Sequence, residues 1–302
     1  MKCMLCPRRC GIDRDSGRGY CGESERVRVA RASLHMWEEP CISGKTGSGA
    51  VFFTGCPLKC VFCQNQEIAS GNRGRELTIS QLAELFLVLQ HKGAANINLV
   101  TPTHFTPQIT AALRMSRSDG LCIPVVYNTS GYEQVETLQM LEGLVDVYLP
   151  DLKYYSSELS ARYSNAPDYF ARASLAIAEM VRQVGSPSFD DTLYGEKMMQ
   201  RGVIVRHMVM PGHIRDSREI IRYLYNTYQD NVYMSIMNQY TPLVDMAAYP
   251  EISRRVTRRE YEKVIDYAIG LGVENAFMQE GNTAKESFIP DFDEGMYLKE
   301  VL

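Results

Sequence analysis

The stretch Ala50-Val-Phe-Phe-Thr-Gly-Cys-Pro-Leu-Lys-Cys-Val-Phe-Cys-Gln-Asn65 sets an apolar run against a loop carrying Cys56, Cys60 and Cys63 at C-x3-C-x2-C spacing. The run reads as a strand, and the loop at its end as a nest of three thiolates. Three sulfurs hold three corners of a cubane iron–sulfur cluster, and the missing fourth ligand leaves one iron open to an exchangeable group. A structural zinc would call for a fourth Cys or His nearby, and between Ile42 and Lys92 only His91 is left to supply one. A disulfide would need an oxidising compartment. Cluster ligation is the stronger reading, because this spacing is far more specific than a lone C-x-x-C.

Outward from that loop the chain becomes repetitive, with short apolar runs alternating with amphipathic segments. Strands are expected at 51–53, 96–100, 123–127, 145–149, 203–209 and 232–236, and a last one at 275–278. Between them, helical spacing of apolar residues marks 79–91, 109–116, 134–141, 171–184, 217–228 and 258–271, as with Leu82, Leu85, Phe86 and Leu89. About six βα units in succession predict an α/β fold, a partial (β/α)6 TIM-type barrel, with a doubly wound open sheet as the alternative. Barrel chemistry sits at the C-terminal ends of the strands. Polar clusters fall there: Thr101-Pro-Thr-His-Phe105, Asn128-Thr-Ser-Gly-Tyr132, Pro150-Asp-Leu-Lys153, Arg206 to Gly212, Asn238-Gln-Tyr240 and Gln279-Glu-Gly281.

At 302 residues and 45% hydrophobic content the chain can bury a full core. Its formal net charge of −4, with basic residues scattered, argues against a nucleic-acid partner. The one basic group, Arg254, Arg255, Arg258 and Arg259, reads as the solvated start of a helix. No apolar run approaches the ~20 residues of a membrane span, and Met1-Lys-Cys-Met-Leu-Cys6 has no signal-peptide character, so a cytoplasmic location is expected. The nine cysteines then read as reduced thiols. Four of them, Cys3, Cys6, Cys10 and Cys21, form a second group at C-x2-C-x3-C-x10-C spacing among Gly11, Gly17, Gly19 and Gly22. This segment is expected to hold zinc or an iron-containing site that contributes much of its folding free energy. The organisation expected is an N-terminal cysteine-rich segment at 1–45 and a barrel at 46–302. Gly44-Lys-Thr46 superficially suggests a phosphate loop, but a Walker A loop needs glycine where Glu39 stands and a helix where a strand follows. Cys41 reads as a small buried residue.

Cys56, Cys60, Phe62 and Cys63 resemble the C-x3-C-x-aromatic-C signature of the radical S-adenosylmethionine (radical SAM) superfamily. Within it, over about residues 46–285, the chain is similar to glycyl-radical-enzyme activating enzymes, most of all to the PflX-type relatives of pyruvate formate-lyase activating enzyme. The resemblance implies a 4Fe–4S cluster on Cys56, Cys60 and Cys63 that binds SAM, and release of a 5′-deoxyadenosyl radical for hydrogen abstraction. Flavodoxin or ferredoxin would be the electron donor, and a glycyl-radical-type protein the substrate. It assigns SAM contacts to Phe62, Thr101, Thr103, His104, Asn128, Ser130, Asp151, Lys153, Arg206, Met208 and Gln239. Lys153 and Arg206 would neutralise the methionyl carboxylate, Asp151 would accept from the amino group or ribose, and Phe62 would pack on adenine. Two departures stand out. Thr101-Pro-Thr-His104 replaces the family's Gly-Gly-Glu, leaving the threonine hydroxyls or His104 to accept from the SAM amino group, and Asn128 replaces an aspartate. His207 alternates with Arg206 and should face the helices, while the 186–202 insert reads as a lid or partner-docking loop. Other readings are radical modification of a peptide or small metabolite and, in a different class, a non-catalytic iron–sulfur electron carrier or scaffold; a carrier would need the cysteines but not Asp151, Lys153 and Arg206 at a barrel mouth.

Overall fold

In the computed structural model, which describes residues 2–71, 73–190, 196–242, 246–279 and 297–301, the run ending at Phe53 is a strand all of whose residues are buried. It is the second of the strands β1 (Val27–His35), β2 (Ser48–Phe53), β3 (Arg75–Leu77), β4 (Ile97–Val100), β5 (Val125–Thr129), β6 (Val147–Pro150), β7 (Ser188–Asp190), β8 (Met198–Met208), β9 (Tyr233–Met237) and β10 (Ala276–Met278). The helices are α1 (Pro40–Ser43), α2 (Gln66–Ala69), α3 (Ile79–His91), α4 (Thr106–Ser118), α5 (Val135–Gln139), α6 (Ser157–Ser164), α7 (Tyr169–Val184), α8 (Ile214–Tyr228) and α9 (Arg258–Leu271).

The strands follow one another across the sheet as β2-β4-β5-β6-β8-β9-β10, each pair parallel. A doubly wound sheet would reverse its strand order partway, and this one does not, so the singly wound, open partial barrel is the fold. Beyond β2 the sheet continues through β1 and β3, both antiparallel to their neighbours. β1 lies within residues 1–45 yet pairs with β2 along its length, so the barrel sheet runs across the boundary expected after residue 45.

Alternation in the strands separates two faces. Val125 and Tyr127 of β5, Tyr148 of β6 and Val203 and Val205 of β8 point outward into a layer shared with the helices. Val126, Val147, Leu149 and Ile204 point inward. The helices meet the outer layer by ordinary means. In α3, Leu82, Leu85, Phe86 and Leu89 are buried on one face, each contributing about 1.5–3 kcal/mol of transfer free energy. Thr78 and Gln81 close a capping box at its start, as Thr257 and Glu260 do at α9. Next to the latter, the arginine group is exposed and paired, Arg254 with Glu260 and Arg258 with Glu262. The insert at 186–202 is partly strand: β7 pairs antiparallel with the first residues of β8, while its centre lies outside the described residues. Among the described residues no helix is long and apolar enough to cross a membrane.

Candidate active site

The tips of the parallel strands and the loop after β2 enclose a cavity of about 640 Å³, within the range of small-molecule sites. Cys56, Cys60 and Cys63 line one side of it, with Phe62 between them. Ser164 Oγ donates to Cys60 Sγ at 3.0 Å, and the Leu58 amide donates to Cys56 Sγ at 3.4 Å. Such donors stabilise thiolate sulfur bound to iron. Burial raises all three thiols, Cys63 to about 12, with the neighbouring cysteines adding to the effect, so that they are protonated unless a metal takes the place of the proton. Phe62 packs edge-on against Tyr154, Tyr163 and Tyr240, an aromatic wall that keeps water from the back of the loop. Among the described residues no three His, Cys, Asp or Glu side chains already stand as a chelate for an ion. The loop gathers its sulfurs around the cavity without drawing them onto one point.

Across the cavity lies a buried ionic network. Lys153 Nζ meets Asp151 at 2.5 Å, Arg206 Nε meets Asp151 at 3.0 Å, and Arg206 Nη1 meets Glu38 at 3.2 Å. Burial alone would raise the Asp151 carboxyl, but Lys153 and Arg206 outweigh it and hold it below the ordinary carboxylate range. Asn128 sits between the charges: its Oδ1 accepts from Arg206 at 2.6 Å, and its Nδ2 donates to Glu38 at 3.2 Å. An amide can serve both partners at once, whereas an aspartate here would face the Glu38 carboxylate. That accounts for the departure at Asn128.

Glu38 and Glu39 escaped the sequence reading. They lie in the link from β1 into α1, which crosses the interior of the barrel and forms the cavity floor. Cys41 and Ile42 pack there against Val126, Val147, Leu149, Met199 and Ile204, confirming Cys41 as a buried apolar residue. Asn98 donates to Glu38 at 2.9 Å. Two adjacent carboxylates in a non-periodic link carry no local signal; the only hint was Pro40 at a helix start preceded by unexplained acids.

Of the residues expected to touch SAM, Phe62, Thr101, Asn128, Ser130, Asp151, Lys153, Arg206, Met208 and Gln239 line the cavity, and Ser130 Oγ is buried without a partner in the protein. Thr103 and His104 do not line it, which corrects the expectation. Thr103 donates to Glu133 at 2.6 Å, and His104 Nε2 bonds the Thr54 carbonyl at 2.7 Å. Burial pushes the His104 imidazole down to about 3, so it is neutral, and its ring rests on Phe105. The two residues turn away because the chain after β4 closes into a helical turn at once. Thr101 holds the turn in a left-handed conformation, φ +58°, which a β-branched residue rarely adopts and a glycine adopts freely. Its amide donates to the Asn128 carbonyl. His207, buried, bonds the Leu152 carbonyl on the face opposite Arg206, as alternation implied. Gln279 lines the cavity, and the rest of the 279–281 turn lies outside the described residues.

The four N-terminal cysteines are folded back beside this loop. A Cβ at Gly19 would lie 3.3 Å from Cys10 Sγ and 3.5 Å from Cys21 Sγ, so the glycine leaves a cradle between two sulfurs. Cys6 and Cys21 are buried, and Cys10 is exposed. The Cys56 amide donates to the Cys21 carbonyl at 3.1 Å, and Arg8 donates to the carbonyls of Pro57 and Ser164 at 2.8 Å each. The two cysteine groups are thus joined by backbone and guanidinium hydrogen bonds.

A singly wound parallel barrel with three cysteines in the loop after its first strand, facing an ionic network at the other strand tips, defines a class of iron–sulfur enzymes. The chain belongs to the radical SAM superfamily, whose family model matches residues 50–224. It is 31% identical to an uncharacterised protein of Methanocaldococcus jannaschii over 272 residues, 88% of this chain and 74% of that one. Among solved structures it is similar in fold to a radical SAM methyltransferase from Sphaerobacter thermophilus, with TM-score 0.53 and 14% identity over 78% of this chain and 67% of that one. It is similar also to SuiB from Streptococcus suis, with TM-score 0.51 and 13% identity over 78% and 49%. Membership implies a 4Fe–4S cluster and SAM. The donor set fits: three half-buried cysteines with no fourth cysteine on the cavity among the described residues, and an unpartnered Ser130 hydroxyl beside the ionic network.

Proposed function

We propose that the protein is an activating-enzyme-like radical SAM oxidoreductase whose hydrogen donor is a glycyl-radical-type protein. When bound, the cluster supplies an electron to SAM, and SAM supplies the 5′-deoxyadenosyl radical that abstracts hydrogen. The observation that carries this reading is the Lys153–Asp151–Arg206 network facing Cys56, Cys60 and Cys63 across one cavity. Lys153 and Arg206 hold positive charge on the cavity wall, suited to the methionyl carboxylate, and the Asp151 carboxylate would accept from an amine or ribose hydroxyl. Phe62 offers an apolar face to adenine, and the tyrosines packed behind it exclude water from the loop. An electron carrier has no need of such a network. Activase-type chemistry is supported by Asp151-Leu-Lys153 and by Arg206 with Met210-Pro-Gly212. Flavodoxin or ferredoxin is the reductant in this reading, and Cys3, Cys6, Cys10 and Cys21 hold a separate zinc or iron.

Anaerobic reconstitution with iron and sulfide, then dithionite and SAM, should yield 5′-deoxyadenosine by mass spectrometry; its absence from a protein carrying the cluster would refute the reading. Adding a candidate glycyl-radical protein should give a glycine-centred doublet by electron paramagnetic resonance. Multiple turnover of a small metabolite without any protein partner would overturn the activase assignment alone.

A further inference from the structure

We propose that Glu39, with Glu38 beside it, is the binding site for a cationic nitrogen of the substrate, a protonated amine or guanidinium that reaches the floor of the cavity. The proposal rests on the radical SAM reading above and adds the chemical class of what that site receives.

Among the described residues three carboxyl groups face the cavity, Glu38, Glu39 and Asp151, against two cations, Lys153 and Arg206. Both cations already pair with a carboxylate other than Glu39, Lys153 with Asp151, and Arg206 with Asp151 and Glu38. Glu39 is the surplus. It is 8% exposed, its side chain bonds Ser235 on β9, and its Oε2 is buried with no partner in the protein. A buried carboxyl oxygen without a donor is costly, and such orphans call for an explanation. Burial raises both Glu38 and Glu39, and Glu38 raises its neighbour further, a cost that a bound cation would offset.

The surroundings select the kind of cation. The lining that β9 and β10 contribute, next to Ser235, is Met237, Ala276, Phe277 and Met278, with Gln239 and Gln279 at the strand tips, and Trp37 lines the cavity from the link that carries Glu39. An apolar wall with aromatic rings suits an alkyl stem ending in a cation, because the rings attract positive charge and the stem finds no polar partner to miss. A hydrated metal ion would find a single free oxygen and a methionine-lined wall, a poor set for a hard cation. The resemblance assigns to SAM Asp151, Lys153 and Asn128 at the β5 and β6 tips and Met208 and Gln239 at the β8 and β9 tips, whereas Glu39, in the link from β1 to α1, carries no such assignment.

Trp37, the chain's only tryptophan, lines the same cavity and provides the signal. The reconstituted protein is titrated with n-butylammonium and with the amide-capped tripeptide Gly-Lys-Gly while tryptophan fluorescence is followed, with butan-1-ol as the uncharged control. Saturable binding of at least one cation, weakened at least tenfold by Glu39→Gln and partly restored by Glu39→Asp, is the expected result. Tighter binding of the peptide marks a protein side chain as the source of the cation, and tighter binding of n-butylammonium a free amine; both support the site. Equal binding by Glu39→Gln, or binding of butan-1-ol as strong as that of the amine, overturns the proposal. So does displacement of the cation by SAM, which would make Glu39 a SAM contact. The titration reads no turnover, so failure to form 5′-deoxyadenosine would sink the radical SAM reading while leaving this test standing.

Discussion

The two cysteine groups are joined by a backbone hydrogen bond and by Arg8, yet they are held by different physics. Cys56, Cys60 and Cys63 hang from β2, a strand buried on both faces, and their loop is closed from behind by Phe62 and three tyrosines. Cys3, Cys6, Cys10 and Cys21 belong to a segment whose own apolar burial is slight, with Cys6 and Cys21 its buried apolar side chains before β1. The first group is placed by a core that exists without it. The second has to supply its own cohesion. The lesson is that the loop sulfurs are placed without help from a metal, whereas a metal on the N-terminal sulfurs, as proposed above, would be bound and the segment folded in one step.

The sharpest way to break this contrast is to remove the loop sulfurs. Replacing Cys56, Cys60 and Cys63 by Ala should abolish 5′-deoxyadenosine formation altogether and leave the far-ultraviolet circular dichroism unchanged; loss of the helical signal would mean that the barrel depends on the cluster after all. The converse change, Cys6→Ser with Cys21→Ser, should remove about one metal equivalent by elemental analysis. It should also open residues 2–25 to protease while the remainder resists; a segment that stayed protected without metal would erase the difference.

Next in size, Arg206→Met tests how much of the barrel tip rests on charge. It leaves Glu38 and Asp151 buried against fewer cations, and should cost about 3–5 kcal/mol in denaturant unfolding. A change below 1 kcal/mol would show that water enters the site and screens it. The smallest effect concerns Glu133, which accepts from Thr103 and Thr129 and so ties the turn after β4 to the turn after β5. Burial raises its carboxyl from 4.5 to about 7. The folded state therefore holds that proton where the unfolded chain has lost it, and stability falls as pH rises from about 4.5 to 7, by up to about 3 kcal/mol. Glu133→Gln should flatten that slope; an unchanged slope would assign it to another group.

Much of this was legible in the sequence where the signal is local. The bounds expected for α3 and α9 hold, because capping residues and apolar spacing both lie inside the helix. The polar clusters do fall at the strand tips. Helix α6 went unread, since Ser157–Ser164 is short and mostly polar. The floor went unread for a different reason: Glu38 acquires its meaning from Asn98, Asn128 and Arg206, residues 60 to 168 positions away along the chain. Thr103 and His104 looked like ligands because they follow a strand, and only the tight turn at Thr101 decides that they point away.

The floor has a consequence for how the protein is made. Cys41 and Ile42 are synthesised early, but the residues that cover them, Val126, Val147, Leu149, Met199 and Ile204, arrive across the next 160 or so positions. A nascent chain on the ribosome must therefore carry this apolar segment exposed until β8 has emerged. Contacts so distant in sequence close slowly and leave sticky intermediates. Chaperone demand during synthesis should accordingly be set by residues 38–43, the same segment that floors the cavity where the chemistry is proposed.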